Sequence, residues 1–589
     1  MLNRKTKSLL AGLLVANLAF GAVSARAQEF INVLTGGTSG VYYPLGVALS
    51  EIYGAGISGA RTQVQATKAS VENLNLLQQG KGEIAFSLGD SVQEAVKGNK
   101  EAGFPAKLDK LRGIAAIYPN YIQIVASQES GIKSLADLKG KSLSVGAPAS
   151  GTELNARAIF AAAGMKYEDL GKVEYLPFAE SVELIKNRQL DATLQSAGLG
   201  VASIRDLGTS LPINVVAVPK ADVEKIGAPY LPVIIPAGTY DGQSTDVETA
   251  AVGNFLITHD GVSEETAYQM TKLLFENLAH RRACRSQGDR SRQGAGRHAC
   301  AAASRGRALL QGSGIDQVRG AMPDGSPHDR ETPFLTEAKH QMVSSHADGP
   351  ILPQDSAEEP IEGLPAGFGE GLLGRAAFWI AFTFSLFQLW SAAYGTLPSQ
   401  VVRAMHVGFL LLLGFALIRN LVARTRTGTA WFWTLGVLGF LTGVYNWVFY
   451  TQLIQRSGFH TTLDLVVGTL VIVLVFEGAR RLMGLPLTII AGIFLAYCFF
   501  GNYLPAPFIH RGYDFAQIIE HFGFGTEGIY GTPIYVSAAY IFIFVVFAAF
   551  LERAGMLTLF NDFALGLVGT WRGGPAQVCV MSSALMGTI

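Results

Sequence analysis

The C-terminal part of the chain is dominated by apolar runs that approach the length needed to cross a bilayer, about 20 residues in a helix. Buried helices of a soluble protein are the alternative, but six such runs within fewer than 180 residues exclude it. The sequence therefore predicts an all-α polytopic membrane domain from residue 376 onward. The predicted spans are 376–397, 402–422, 430–450, 463–482, 485–501 and 534–552, with a weaker one at 556–570.

Arginines are distributed unevenly over the loops between these spans. They form groups after the second, fourth and sixth spans: Arg419, Arg424 and Arg426, then Arg480 and Arg481, then Arg553. The other loops carry one each: Arg403, Arg456 and Arg511. Because cytoplasmic loops carry the excess of positive charge, we expect the first span to run outward, with its N-terminal flank in the cytoplasm.

The N-terminus has the three-part layout of a secretory signal peptide. Basic residues precede an apolar run from Leu9, and Ala25-Arg26-Ala27 places a cleavage site before Gln28. A first membrane anchor is the alternative, but the apolar run is short for one. We therefore expect residues 1–27 to be a signal peptide and residues 28–280 to lie outside the cytoplasm, in a bacterial periplasm.

The composition of residues 28–280 excludes several kinds of chemistry. None of the four cysteines falls there, so this part uses neither a disulfide nor a thiolate metal site. His259 is the only histidine between residues 28 and 279, which leaves no histidine triad or metal cluster. The formal net charge of the chain is zero, which gives no electrostatic reason for a nucleic-acid partner. We expect a binding protein with no catalytic residue and no metal ligand.

Short apolar runs alternate with amphipathic stretches between Phe30 and Leu278. FINVLTG and GEIAFSLGD read as strands, YPLGVALSEIYG and GTELNARAIFAAAG as helices, and LRGIAAIYPNYIQIVAS as a pair of strands. Alternation of this kind predicts an α/β fold with mostly parallel sheets.

Three strand-to-helix junctions carry glycine and hydroxyl residues. They are residues 35–40 (TGGTSG), 88–91 (LGDS) and 149–153 (ASGTE). The start of a helix presents unpaired N–H groups that suit a carboxylate or phosphate, and glycine lets the ligand approach the backbone. Each junction alone is better explained as a well-capped helix. Three in one domain favour a shared anion site.

At these residues the chain resembles a known family. TGGTSGVYYPLG, SLADLKGKSLSVGAPASGTE and LDATLQSAG resemble the extracytoplasmic solute receptors of TRAP transporters, TAXI type, over residues 28–280. The resemblance implies a two-lobed α/β periplasmic binding protein fold, type II-like, that closes around a small carboxylated solute. By position, the residues lining the cleft would be Thr35, Gly36, Tyr42, Tyr43, Asp90, Gly151 and Thr152. Tyr42 and Tyr43 could instead be core aromatics, and Leu88-Gly89 replaces the Gln-Ser of many relatives.

The membrane part resembles the fused permease subunits of the same transporters. The matching stretches are LVFEGARRLMGLPLTIIAGIFLAYCFFGNYLPAPFIHRGYD, TEGIYGTPIYVSAAYIFIFVVFAAFLERAG and RGGPAQVCVMSSALMGTI. The resemblance implies a four-helix small-permease-like part at 376–482, followed at 483–589 by the start of a large transport part, most of which is missing. It also implies sodium as the coupling ion and no other cofactor. The implied partners are membrane lipid and the remaining TRAP permease portion.

Residues 281–375 do not fit either part. Between Arg281 and Arg307 there are eight arginines, no lysine and one acid. An arginine-rich RNA-binding tail and a disordered linker are two interpretations. A third is out-of-frame translation that joins two neighbouring genes, with Met342 as the original start of the second. The topology favours this third interpretation, because the signal peptide places residues 28–280 outside while the first span begins inside.

The sequence predicts a solute receptor joined to a truncated permease in a bacterial inner membrane, with the receptor in the periplasm. Its predicted function is sodium-coupled uptake of an organic acid or amino acid. One alternative is an enzyme on the same two-lobed fold. The other is a membrane-tethered sensor that binds solute without transporting it.

Overall fold

The computed structural model describes residues 29–290, 372–395, 397–422, 426–505, 508–571 and 573–587. The predicted signal peptide, Arg424, Met342 and most of the segment 281–375 lie outside these residues. We refer to residues 29–290 as the α/β domain and to residues 372–587 as the helical domain.

The strands of the α/β domain form one mixed sheet. They are β1 (Glu29–Leu34), β2 (Ala60–Gln65), β3 (Ile84–Leu88), β4 (Leu111–Ser127), β5 (Ser142–Ser144), β6 (Lys172–Glu174), β7 (Ala192–Ala197), β8 (Ile213–Val216), β9 (Leu231–Ile235) and β10 (Val247–His259). Their order is β2-β1-β3-β10-β4-β7-β5-β6, with β8 beside β4 and β9 beside β10. The prediction of mostly parallel sheets is wrong, because every pairing that involves β4 or β10 is antiparallel.

The two long strands β4 and β10 join two lobes. The N-terminal half of β4 pairs only with β10, whereas from Tyr121 onward β4 also pairs with β7. The partners of β4 change close to Pro119. This residue lies opposite Gly253, beside a register shift in the pairing with β10. The sequence was expected to form two strands here, but β4 continues through Pro119 because β10 runs alongside it. We call residues 29–119 and 253–290 the first lobe, and residues 120–252 the second lobe.

Each lobe has its own core. Ile31, Val33 and Phe86 are buried in the first lobe, and Ile124 and Leu194 in the second. Helices cover the sheet: α1 (Tyr42–Gly56), α2 (Ser70–Gln78), α3 (Gly89–Lys97), α4 (Gly151–Ala162), α5 (Phe178–Lys186), α6 (Ala202–Ser210), α7 (Lys220–Ile226) and α8 (Glu264–Arg290). The predicted two-lobed α/β fold is therefore confirmed.

The helical domain has a helix at each predicted span. Its helices are α9 (Leu372–Tyr394), α10 (Ser399–Val422), α11 (Arg426–Val448), α12 (Tyr450–Gln455), α13 (Thr462–Leu482), α14 (Leu485–Phe500), α15 (Phe515–Gly523), α16 (Thr532–Arg553), α17 (Met556–Val568) and α18 (Gly574–Gly587). Among the described residues, α9, α10, α13, α14 and α16 are long and apolar enough to cross a membrane. This confirms an all-α domain with several candidate spans.

Local signals explain where these helices begin. Thr461 and Asp464 form a capping box at the start of α13, and Asp514 with Gln517 forms another at α15. Both satisfy backbone N–H groups that a first helical turn leaves without an intrahelical acceptor. The polar loops that carry these caps face the same end of the helical domain.

We call that end the near end, because it contacts the α/β domain. It comprises the connections around residues 395–398, 449–461 and 501–531. Helices α9 and α10 pack antiparallel, with the Phe384 ring stacked on Phe409 at 5.0 Å between centroids. Leu372 and the C-terminal part of α10 therefore lie at the opposite, far end. Arg480, Arg481 and Arg553 belong to the far end as well, at the C-termini of α13 and α16.

Candidate solute-binding cleft

A cavity of about 400 Å³ lies between the two lobes and is closed by the near end of the helical domain. The first lobe and the strand crossing contribute Gly36, Gly37, Tyr42, Thr67, Lys68, Ser70, Tyr118 and Asn120. The second lobe contributes Ser150, Gly151, Thr152, Phe178 and Ser196. The helical domain contributes Tyr450, Ser457, His460, Tyr513, Glu520 and Phe524, among others. Three parts of the chain that are remote in sequence therefore share one cavity.

Gly36 and Tyr42, two of the predicted site residues, line this cavity from the first lobe. A Cβ atom at Gly36 would lie 3.2 Å from the Ala69 Cβ, so a side chain here would require Ala69 to shift by a few tenths of an ångström. The Tyr42 ring stacks on Phe86 at 5.0 Å, and its hydroxyl hydrogen-bonds to the Asn254 side chain. Tyr42 is thus both a core aromatic and part of the cavity wall.

Gly151 and Thr152 line the cavity from the second lobe, at the start of α4. The Ser150 hydroxyl caps this helix by accepting a hydrogen bond from the Glu153 N–H at 3.2 Å. A Cβ atom at Gly151 would lie 2.6 Å from the Ser70 Oγ, so only glycine fits between the lobes here. The helix presents its positive end to the cavity, as the sequence suggested for this junction.

Three predicted site residues do not line the cavity. Thr35 is fully buried, and its hydroxyl donates to the Gln65 carbonyl at 2.9 Å, which ties β1 to β2. Tyr43 and Asp90 lie outside the cavity lining as well. Contact of any of the seven predicted residues with a solute remains a prediction.

Asp90 instead joins the two lobes. Its Oδ2 atom accepts hydrogen bonds from Asn155 Nδ2 and from the Tyr230 hydroxyl, both at 2.6 Å. Its Oδ1 atom accepts from the Ser91 N–H at 2.7 Å, and Ser196 Oγ donates to Asn155 Oδ1 at 2.6 Å. Burial raises the pKa of Asp90 despite these hydrogen bonds. We call Asp90, Asn155 and Tyr230 the interlobe latch.

Sequence reasoning missed three polar residues of the cavity. Lys68 lies in the turn between β2 and α2, and Tyr118 and Asn120 flank Pro119 where β4 passes between the lobes. The Tyr118 hydroxyl and the Asn120 Oδ1 atom are buried without a hydrogen-bond partner among the described residues. The signal for Lys68 was present, because TKAS after β2 is a fourth strand-to-helix junction rich in hydroxyl residues.

Lys68 also forms the main polar contact between the domains at the cavity. Its ammonium donates to Glu520 Oε1 at 2.6 Å and hydrogen-bonds to the Ser457 hydroxyl. Burial would raise the pKa of Glu520, but the charge of Lys68 and the hydrogen bonds to this carboxylate outweigh it and lower the pKa to about 2. Burial likewise opposes the charge on Lys68, and Glu520 and Glu72 outweigh it to raise the pKa of Lys68. Both groups are therefore charged.

Further contacts hold each lobe to the near end. Arg511 pairs with Glu83 of the first lobe at 2.7 Å, and Asp514 pairs with Lys81. In the second lobe, the buried Glu174 accepts from the Ser399 N–H at 2.9 Å and from its hydroxyl at 3.0 Å. Glu180 pairs with the buried Arg403. The first lobe therefore contacts the region of α15, and the second lobe contacts the start of α10.

Two family models match the chain. Residues 33–293 match the NMT1-like family, and residues 470–589 match the tripartite ATP-independent periplasmic transporter, DctM component. The fold and the two matches define a solute-binding α/β domain followed by a membrane transport segment. More particularly, residues 33–293 are similar to the NMT1-like family, and residues 470–589 are similar to the DctM component of TRAP transporters. These families are solute-binding and transporter components rather than enzymes.

Solved structures similar to the chain include three bacterial proteins. A protein from Bordetella bronchiseptica RB50 is 17% identical over 42% of this chain and 68% of its own, with a TM-score of 0.30. The binding protein component of a phosphonate ABC transporter from Pseudomonas aeruginosa is 13% identical over 42% and 74%, with a TM-score of 0.29. The periplasmic aliphatic sulphonate binding protein from Escherichia coli is 13% identical over 43% and 71%, with a TM-score of 0.27.

Proposed function

We propose that the α/β domain is a TAXI-type receptor that captures a small carboxylated solute, an organic acid or an amino acid, for sodium-coupled uptake by a TRAP permease. The helical domain is part of that permease. The observation that carries this proposal is the shared cavity, whose walls come from both lobes and from the near end of the helical domain. A solute held between the lobes would already face the membrane part that takes it up.

The chemistry of the cavity suits a carboxylate. Lys68 supplies a positive charge, and the start of α4 at Gly151 and Thr152 supplies backbone N–H groups that have no acceptor within the helix. Hydroxyls of Ser39, Ser70 and Ser150 add donors that can reorient to suit the solute. Charge-assisted hydrogen bonds of this kind are about twice as strong as neutral ones.

A second polar group on the solute would satisfy the atoms left without partners at the strand crossing. Asn120 Oδ1 can accept a hydrogen bond from an amino or hydroxyl group, and the Tyr118 hydroxyl can donate one. Buried polar atoms usually have partners, so these two suggest a bound solute with a hydrogen-bonding group besides its carboxylate. Amino acids and hydroxy acids fit this description.

We place the near end of the helical domain in the periplasm. The arginines grouped by sequence at Arg480, Arg481 and Arg553 lie at the far end, as expected for the cytoplasmic side. Arginines at the near end are each neutralised by a carboxylate. These pairs are Arg403 with Glu180, Arg456 with Asp464 at 3.1 Å, and Arg511 with Glu83 at 2.7 Å. At the far end, Arg480 and Arg481 share the one carboxylate of Glu477, so unbalanced positive charge remains there.

Solute binding by the full chain in lipid nanodiscs tests the proposal. Succinate, 2-oxoglutarate and L-glutamate should give calorimetric binding signals. Succinamide, in which neutral amides replace both carboxylates of succinate, should bind at least about tenfold more weakly than succinate, a difference of about 1.4 kcal/mol. Equal binding of succinate and succinamide would contradict a carboxylate site. Absence of binding by all three acids would contradict this solute class.

Uptake into proteoliposomes separates transport from the alternative of a membrane-tethered sensor. A transporter should accumulate the radiolabelled acid only with an inward sodium gradient and lose this uptake when potassium replaces sodium. A chain that binds the acid but shows no uptake under either gradient would favour the sensor. Equal accumulation with sodium and with potassium would contradict the sodium coupling but not the transport itself.

A further inference from the structure

Lys68 is the one lysine or arginine among the described residues that line the cavity. Its position is fixed by its backbone: the Lys68 N–H donates to Glu72 Oε2 at 2.5 Å, and the Thr67 hydroxyl donates to the Thr35 carbonyl at 2.9 Å. A quarter of the Lys68 side chain is exposed, toward the cavity. An anionic solute in the cleft would therefore find this ammonium as its main positive charge.

Glu520 is held in place by the helical domain itself. Its carboxylate accepts hydrogen bonds from the Ser457 hydroxyl at 2.5 Å and from the Gly458 N–H at 3.1 Å. It projects from α15, and its side chain is only 10% exposed. Because these partners belong to the helical domain, the carboxylate is positioned to meet Lys68 whenever the two domains are in contact.

We propose that Glu520 is a built-in competitor of the solute: it takes Lys68 from the solute carboxylate when the α/β domain contacts the helical domain, and so promotes release. The inference rests on the proposed function, because it requires an anionic solute in this cleft. One ammonium bonded to Glu520 and Ser457 has at most one donor left for the solute. The solute carboxylate would also lie near the negative charge of Glu520.

The competition has to be reciprocal. If contact with Glu520 weakens solute binding by some factor, bound solute weakens the contact between the domains by the same factor. Coupling between two sites is usually on the order of 5- to 150-fold. The α/β domain would then bind its solute most tightly when it is separated from the helical domain, and its solute affinity would fall when the two domains come into contact.

The test compares solute affinities of the full chain in nanodiscs, using as probe whichever of succinate, 2-oxoglutarate and L-glutamate binds the wild-type chain most tightly. Glu520→Gln keeps an oxygen for the Gly458 N–H but removes the competing charge, so the probe should bind at least about fivefold more tightly, the lower bound of usual coupling. Lys68→Met should weaken binding and abolish the effect of Glu520→Gln in the double variant. Such non-additivity is the mark of a shared partner.

Glu477→Gln is the matched control. It makes the same change to a carboxylate whose ion pairs, with Arg480 and Arg481, lie within the helical domain at the far end, and Glu477 does not line the cavity. Its probe affinity should equal that of the wild-type chain. If Glu520→Gln leaves the affinity unchanged, or if Glu477→Gln tightens binding equally, the competition is refuted while the proposed function stands. If none of the three acids binds any variant, the proposed function fails and this inference fails with it.

Discussion

The interlobe latch makes a specific prediction about Asp90, which the resemblance to solute receptors placed in the cleft. Replacing Asp90 by alanine removes the acceptor of Asn155 Nδ2 and of the Tyr230 hydroxyl, while the bond from Asn155 to Tyr230 at 3.0 Å remains. We expect Asp90→Ala to weaken the association of the two lobes rather than to abolish solute recognition directly.

The magnitude follows from the number of donors that lose their acceptor. Each buried polar group left without a partner costs about 1–3 kcal/mol, so the two donors of the second lobe give a loss of about 2–6 kcal/mol. Since 1.4 kcal/mol corresponds to a factor of ten, amide exchange that occurs through opening of this contact should accelerate by about 30-fold or more. Asp90→Asn keeps one oxygen acceptor and should have a smaller effect.

Hydrogen exchange with mass spectrometry on the full chain is the suitable assay, because all six tryptophans lie outside residues 29–290 and fluorescence would not report on this domain. Faster exchange is expected in peptides from α3, α4 and β9, and unchanged exchange in α13 and α14. Asp109→Ala is the control, since the Asp109 side chain is exposed and accepts its hydrogen bond from the Gln78 side chain within the first lobe. Protection within about threefold of wild type in Asp90→Ala would refute the latch, because threefold corresponds to under 1 kcal/mol.

Three further perturbations follow from the same contacts. Gly151→Ala should destabilise the closed α/β domain by about 1–3 kcal/mol and weaken solute binding, because the added Cβ would lie 2.6 Å from Ser70 Oγ. Calorimetry on the full chain measures both the stability and the solute affinity. Unchanged solute affinity would contradict the close approach. Glu174→Ala should remove about 2 kcal/mol or more of interaction with Ser399 and so accelerate amide exchange at the start of α10 by about 30-fold or more. Glu183→Ala, at an exposed position, should leave this exchange rate unchanged. Equal exchange rates in the two variants would rule out the contact between Glu174 and Ser399 as an anchor of the second lobe. Burial, and then the charge of Glu520, raise the pKa of Glu72 to about 7, above its ordinary 4.5, so the folded chain binds its proton more tightly. The free energy of unfolding should therefore fall as pH rises from about 4.5 through about 7, and Glu72→Gln should flatten this dependence in calorimetric unfolding.

Local sequence patterns predicted the elements of both domains well. The alternation of short apolar runs with amphipathic stretches gave the α/β layering, and the apolar runs after residue 376 gave a helix at each expected position. The sheet direction was predicted wrongly, because strand pairing depends on β4 and β10, which meet across more than 100 residues of chain. A pattern within one strand contains no information about the direction of its neighbour.

The candidate site was predictable only where a local junction fixes it. Gly36, Gly151 and Thr152 line the cavity because the end of a strand and the start of a helix place them there. Asp90 has the same kind of junction, but its side chain turns into the contact between the lobes. The pairing of Lys68 with Glu520 joins residues 452 positions apart, which no spacing rule can anticipate.

The segment between the domains poses the last testable question, because the two domains imply different sides of the membrane for its ends. The α/β domain contacts the near end, whereas α9 begins at the far end, yet residues 291–371 contain no apolar run of about 20 residues. If the far end is cytoplasmic, one continuous chain lacks a membrane crossing, and the arginine-rich composition favours two joined genes. We predict that resequencing the DNA for residues 270–345 reveals a shifted frame, and that residues 1–290 and 342–589 made as separate polypeptides co-purify through the Lys68, Glu174 and Arg511 contacts. An intact frame, together with a single membrane-bound product that carries both a tag inserted after residue 28 and a C-terminal tag, would instead require a reversed orientation of the helices.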